Sequence, residues 1–128
     1  MANFLDLFGR ILISALFLVS AFNKVFNLEG SMSWMESFGV PGFLIFPAIA
    51  IEVILPVLVI VGYQARIAAG ILAIFCLSTA FIFHFDFSNQ TQLISFLKNI
   101  GLAGGFIFIV ANGTKDFSVD REKKYVRL

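Results

Sequence analysis

The sequence predicts an all-α integral membrane protein, built as an antiparallel bundle of four transmembrane helices. Hydrophobic residues make up 59% of the 128 residues and charged residues only 13%, whereas soluble domains are about 25% charged. The mean hydropathy is +0.95. The apolar residues lie in four runs of 19 or 20 residues, and a helix needs about 20 residues to cross a hydrocarbon core of about 30 Å.

The predicted spans cover residues 7–26, 43–61, 67–85 and 93–111. Ionisable residues within them are few: Arg10 and Lys24 in the first, then Glu52, His84 and Lys98, one in each later span. Lipid offers no partners for backbone groups, so a span without barrel-like alternation must be a helix. A cleaved signal peptide is the alternative for the first run, but its apolar stretch continues past the small residues that would mark a cleavage site.

The connections define one membrane domain over residues 1–113 and a charged tail over residues 114–128. The turn at residues 62–66 is too short for anything but antiparallel neighbours. Residues 27–42 form the longest predicted loop, in which Trp34 is interpreted as an anchor at the membrane surface.

Lysine and arginine counting places both termini in the cytoplasm of a bacterial inner membrane. Four spans put both termini on one side, and that side collects seven basic residues: Arg10, Arg66, Lys115, Arg121, Lys123, Lys124 and Arg127. The opposite side has Lys24 and Lys98. Arg10 and Arg66 are therefore interpreted as residues that fix topology. The tail either fixes topology or contacts anionic lipid, and the bilayer itself is the expected partner.

Three ionisable side chains are expected to meet in the outer half of the bundle. Glu52 lies nearly halfway along its span, and helical side chains lean toward the N-terminus of their helix. Because the second span begins outside, Glu52 leans outward. Lys24 and His84 lie near the outer ends of helices that begin inside, so both lean inward. Charged groups in a membrane are costly, which makes each a candidate for ligand binding or proton handling.

Polar residues at helical spacing extend this predicted pocket. The first span contributes Ser20, Asn23 and Lys24, and the fourth contributes Gln92, Ser95, Lys98 and Asn99. Glu52 is expected to pair with Lys24 or Lys98, or to be protonated. The alternative is structural: such a pair can fix which helices face each other, the lysines can extend to the membrane surface, and His84 can be an interfacial residue.

Several classes of site are not expected. A net charge of +1 does not suggest nucleic-acid binding, and a single cysteine, Cys76, cannot form an internal disulfide. One histidine cannot supply both axial ligands of a typical membrane haem, and no Cys/His cluster suggests a metal. A quinone is compatible with the many phenylalanines, although these are also what a lipid-facing surface and a helical core contain.

The residues nevertheless resemble those of a known family. The matching positions are Gly9-Arg10, Ser20, Lys24, Glu52, Gly62, Arg66, Ala68-Ala69, His84, the stretch 96–99 (Phe-Leu-Lys-Asn) and Gly104-Gly105. Together they resemble the DoxX family of small four-helix bacterial membrane proteins, in which Lys24, Glu52, His84, Lys98 and Asn99 would be the related residues. Many members have small residues just after the glutamate, where this chain has residues 53–56 (Val-Ile-Leu-Pro), so a cavity there would differ in shape.

The resemblance implies a role near membrane redox chemistry, because the family name comes from a subunit associated with a terminal quinol oxidase. The first hypothesis is a small subunit or partner of a larger membrane oxidoreductase, with a quinone or small polar substrate in the pocket. Any enzymatic role would then be that of a quinone-linked oxidoreductase subunit. The second is a non-catalytic assembly or scaffold protein, which could form a homo-oligomer. The third is a transporter of protons or small molecules. The inner halves of the spans offer only Arg10 and Ser14 as polar groups, which argues against a continuous polar path but not against alternating access.

Overall fold

The structure is a computed structural model that describes residues 1–120. It contains five α-helices: α1 (Ala2–Phe26), α2 (Leu28–Glu36), α3 (Ile45–Val61), α4 (Ala65–Phe83) and α5 (Gln90–Asn112). A 3₁₀ turn, Gly42–Leu44, leads into α3. The basic residues predicted to lie in the tail beyond Asp120 fall outside the described residues: Arg121, Lys123, Lys124 and Arg127.

Four of the helices are long and apolar enough to cross a membrane, which confirms the predicted fold class. They are α1, α3 with its preceding 3₁₀ turn, α4 and α5, with 25, 20, 19 and 23 residues. α1 begins five residues before the predicted span, and α5 begins three residues before it. Hydropathy alone missed these turns because they contain polar side chains, such as Asn3 and Gln92, that a helix end tolerates at the membrane surface.

The predicted loop at residues 27–42 is largely helical. α2 occupies residues 28–36 within it and is followed by the 3₁₀ turn. Leu28, Met32 and Met35 recur at spacings of four and three, so they share one face of α2. Met35 is buried on that face. A nine-residue helix carries too few repeats for its period to stand out in the sequence.

The spans pack in chain order, with α1 against α3, α3 against α4, and α4 against α5. Their shared core contains Phe17, Val59, Leu72 and Phe106. The rings of Phe17 and Phe106 lie 5.6 Å apart and join α1 to α5. Buried alanines on α4 let its neighbours approach closely, as small residues do between membrane helices; they are Ala65, Ala68, Ala69, Ala73 and Ala80.

Arg10 lies at the end of the bundle that holds the N-terminus, termed the base, and is 2% exposed. Its Nη1 donates to the carbonyls of Val59 (3.1 Å) and Ile60 (2.6 Å). These carbonyls belong to the last turn of α3, where no later N–H group of the helix is available to donate to them. Nε donates to the Asp6 carboxylate at 3.0 Å. The sequence analysis interpreted Arg10 as a residue that fixes topology, and the structure shows that it also caps α3 with a positive charge.

Residues 113–120, termed the strap, fold back over the base. The Phe117 carbonyl accepts from Nη2 of Arg10 at 2.5 Å. The backbone N–H groups of Val119 and Asp120 donate to the carbonyls of Val61 (3.0 Å) and Gly62 (2.8 Å). The Asp120 carboxylate accepts from the backbone N–H groups of Gln64 (3.1 Å) and Ala65 (2.9 Å) at the start of α4. Residues 114–120 therefore pack on the bundle, although the sequence assigns them to a tail.

Gly62 is the position where the strap approaches the turn most closely. Its φ is +77°, and a Cβ placed there would overlap the Cβ of Ser118. Gly62→Ala should therefore lower the free energy of unfolding by about 1–3 kcal/mol, through strain and displacement of the strap. Thermal or SDS unfolding in micelles would measure the change.

Gly101→Ala is the matched control. Gly101 lies inside α5, and a Cβ there has nothing within 4 Å, so alanine should leave stability unchanged or raise it by up to about 1 kcal/mol. Equal stability of the two variants would contradict the docking of the strap on Gly62.

Candidate functional site

A cavity of about 500 Å³ lies at the other end of the bundle, termed the α2 end. Its walls come from α1, α3 and α4, with α2 and the segment after it above them and a single residue of α5. Its charged or hydrogen-bonding lining residues are Ser20, Lys24, Trp34, Glu52, Ser78, Thr79, His84 and Asn99. Apolar side chains supply the remaining surface, which is the usual character of a small-molecule site.

Lys24, Ser20 and Glu52, termed the triad, form a closed set of hydrogen bonds. Lys24 Nζ donates to Glu52 Oε1 at 2.9 Å and to Ser20 Oγ at 2.8 Å, and Ser20 Oγ donates to Glu52 Oε2 at 3.1 Å. The Glu52 side chain is 5% exposed and that of Lys24 is 25% exposed. Of the two lysines considered from the sequence, Lys24 is therefore the partner of Glu52.

The sequence builds the triad from two helices. Ser20 and Lys24 stand one turn apart on α1, so they present one face to α3. Glu52 lies in the middle of α3 and leans toward the α2 end, as its helix direction requires. Pro56, one turn further along α3, has no N–H to donate to the backbone carbonyl of Glu52. The backbone carbonyl of Glu52 therefore lacks the donor that a regular helix would supply one turn later.

His84 closes the cavity at the end of α4. Its Nδ1 lies 2.9 Å from Gln92 Oε1 at the start of α5, and an amide oxygen only accepts, so this contact needs a proton on Nδ1. The His84 ring lies 6.2 Å from the ring of Trp34 on α2. Gln92 is not itself a lining residue, and its link to the cavity is the hydrogen bond that it accepts from His84.

The structure brings together only part of the predicted polar set. Asn99 lines the cavity, but its neighbour Lys98 is exposed and lies outside, and Asn23 is likewise exposed beside Lys24. Adjacent residues on a helix point about 100° apart, and in these two pairs Lys98 and Asn23 are the members that point away from the cavity. Ser95 is half-buried and does not line it either. Arg10 and Arg66, interpreted from the sequence as topology residues, belong to the base and do not line it.

Among the lining residues that the sequence analysis did not assign to the pocket, two pairs stand out. Trp34 and Met35 reach the cavity because α2 folds over it. Ser78 and Thr79 form the one polar pair inside the third span, which was a signal, although uncharged hydroxyls are common in membrane helices. Thr79 Oγ1 also donates to the backbone carbonyl of Cys76 at 3.1 Å.

The cavity suits an uncharged molecule that carries oxygen atoms. Lys24 and Glu52 neutralise each other, yet the lysine ammonium has three N–H donors and uses two within the triad. The third donor and the Asn99 amide can serve a ligand oxygen, while Phe17, Phe75 and Phe83 supply apolar walls. Within residues 1–120, no group of three His, Cys, Asp or Glu side chains could hold a metal ion.

Removing one partner should reveal the coupling of the ion pair. Lys24→Met leaves a buried carboxylate unpaired and should lower the free energy of unfolding by about 2–3 kcal/mol, with about 1 kcal/mol for Glu52→Gln. The double variant should lose less than the sum, by about 1 kcal/mol or more. SDS titration in mixed micelles would measure all three. Lys98→Met, at an exposed lysine, is the control and should change stability by less than about 0.5 kcal/mol; strict additivity would contradict the pairing.

Comparison with known proteins identifies the family. The DoxX family model matches residues 5–85. The chain is 34% identical over 115 residues to the inner membrane protein YqjF of Escherichia coli K12, covering 90% of this chain and 88% of that protein. It is 29% identical over 122 residues to the inner membrane protein YphA of the same organism, covering 90% and 87%. No solved structure matches. This four-helix membrane protein therefore belongs to the DoxX family.

Proposed function

We propose that this chain is an inner-membrane protein that binds an uncharged, oxygen-bearing, lipid-soluble molecule in the cavity at its α2 end. A quinone headgroup is the leading candidate. In this role the protein serves as a small subunit or partner of a membrane redox system. The observation that carries the proposal is the triad, which places one unused lysine donor at the wall of an otherwise apolar cavity of about 500 Å³.

Size and chemistry both support this ligand class. Small-molecule pockets range from about 300 to 1,000 Å³ and combine apolar walls with a few fixed polar groups. A carbonyl oxygen can accept from Lys24, and the Asn99 amide can donate to a second oxygen. Glu52 and His84 are groups able to accept or donate protons if the molecule is reduced or oxidised while bound. The family's association with quinol oxidation favours a quinone among such molecules.

The orientation proposed with this function has both termini in the cytoplasm, so the α2 end faces outward. Single cysteines would test it in intact cells with a membrane-impermeant maleimide. Ser33→Cys, on the exposed side of α2, should be labelled, and Lys115→Cys, on the exposed side of the strap, should not. The reverse pattern would place the cavity in the cytoplasmic half. Buried Cys76 provides the unlabelled background in the parent protein.

Native mass spectrometry of the protein released gently from its own membrane tests ligand binding. The parent protein should carry a small molecule, and Glu52→Gln should lose it, because the triad no longer holds Lys24 in place. In titrations with a short-chain quinone, Glu52→Gln should bind about tenfold or more weakly, equivalent to about 1.4 kcal/mol. Lys98→Gln is the matched control, since Lys98 lies outside the cavity, and should bind as the parent does.

Two other functions predict different results. A non-catalytic assembly protein would use the triad to hold α1 against α3, so every variant would be recovered as the bare chain or bound to a larger protein without a small molecule. A transporter would need access from the base as well. Arg10 and the strap cover that end, which favours a cavity open on one side.

A further inference from the structure

We propose that α2 is a lid over the cavity, hinged at its two ends and fastened to α4 by aromatic contacts. The ligand exchanged by such a lid is that of the proposed function, on which this part of the inference rests. The movement of the lid itself can be measured without any ligand.

Both ends of α2 have the backbone of a hinge. A single residue, Asn27, separates α1 from α2, and its φ of −145° and ψ of 56° break the helix between them. At the other end, Gly39 has a φ of +83°, a conformation that other residues rarely adopt. Pro41 follows and fixes the backbone before the 3₁₀ turn. α2 can therefore turn as a short rigid unit between two breaks in helical structure.

Aromatic rings hold the free edge of α2 to α4. Trp34 stacks on Phe83 with ring centroids 4.6 Å apart, and Phe38, two residues after α2, meets Phe83 edge-on at 5.3 Å. Trp34 also lies 6.2 Å from His84. Among the described residues, no hydrogen bond or ion pair joins α2 to α4. The contact between α2 and α4, termed the clasp, therefore consists of the rings of Trp34 and Phe38 packed on Phe83.

The underside of α2 is part of the cavity wall. Met35 is 6% exposed and faces the cavity together with Trp34, and Val40 and Leu44 continue the same wall. A swing of α2 away from Phe83 would remove this wall and uncover the triad beneath. The outer face of α2 carries Glu29, Ser33 and Glu36, all exposed, so this face is suited to contact with water and needs no apolar partner.

Hydrogen exchange measured by mass spectrometry tests the lid in the full chain. Phe83→Ala removes the centre of the clasp, so amides of α2 should exchange roughly five- to tenfold faster than in the parent. Phe81→Ala is the matched control: Phe81 lies two residues away on α4, contacts Phe85 and Phe96 instead, and should leave α2 unchanged. Trp34 is the only tryptophan, so acrylamide quenching of its fluorescence should rise in Phe83→Ala alone.

Unchanged exchange of α2 in Phe83→Ala would overturn the lid, and so would equal acceleration of α2 and of all four spans, which would mean general loosening. Ligand kinetics separate this inference from the proposed function. If a quinone binds, its association and dissociation rates should both rise in Phe83→Ala, and unchanged rates would overturn the lid as the route of access. If no quinone binds while α2 still opens selectively, the lid stands and the proposed ligand is wrong.

Discussion

The structure depends on how it pairs the backbone groups at the ends of its helices. α3 ends at Val61 and α4 begins at Ala65, so unpaired carbonyls and unpaired N–H groups meet within one short turn. Lipid supplies no partners for such groups. Arg10 satisfies the carbonyls with a cation, and Asp120 satisfies the N–H groups with an anion. Each charge is opposite in sign to the end of the helix dipole that it faces, so both interactions are favourable. These contacts join α1, α3, α4 and the strap at one place.

The location of the cavity follows from the different ways in which the two ends of the bundle are held together. At the base, the hydrogen bonds of Arg10 and the strap draw the helices together, and Phe17 packs on Phe106 just above. At the α2 end, the spans are connected by the triad on one side and by the His84–Gln92 contact on the other. The space between these two polar links is the cavity, with Asn99 as the only contribution from α5. The cavity therefore lies where fewer hydrogen bonds hold the spans together.

The sequence predicted the parts of this arrangement that obey one-dimensional rules. Hydropathy located the four spans, and the lean of helical side chains brought Lys24, Glu52 and His84 to one cavity. The sequence could not show which of two neighbours, such as Lys98 and Asn99, faces the cavity, because packing against α4 sets the rotation of α5 about its axis. The role of Arg10 could not be predicted, because it depends on the strap folding back over the base, which the sequence does not show. The sequence analysis did not predict α2, because this helix is short. Its one buried side chain, Met35, faces the cavity and is not part of a long amphipathic pattern.

The pairing of Lys24 with Glu52 has a consequence for how the site responds to an energised membrane. An elementary charge moved fully across a potential of 100 mV gains or loses about 2.3 kcal/mol. The ammonium and the carboxylate lie 2.9 Å apart, so the field acts on them with nearly equal and opposite forces. An uncharged ligand adds no charge of its own. If an uncharged molecule binds in the cavity as proposed, its occupancy would therefore be independent of membrane voltage.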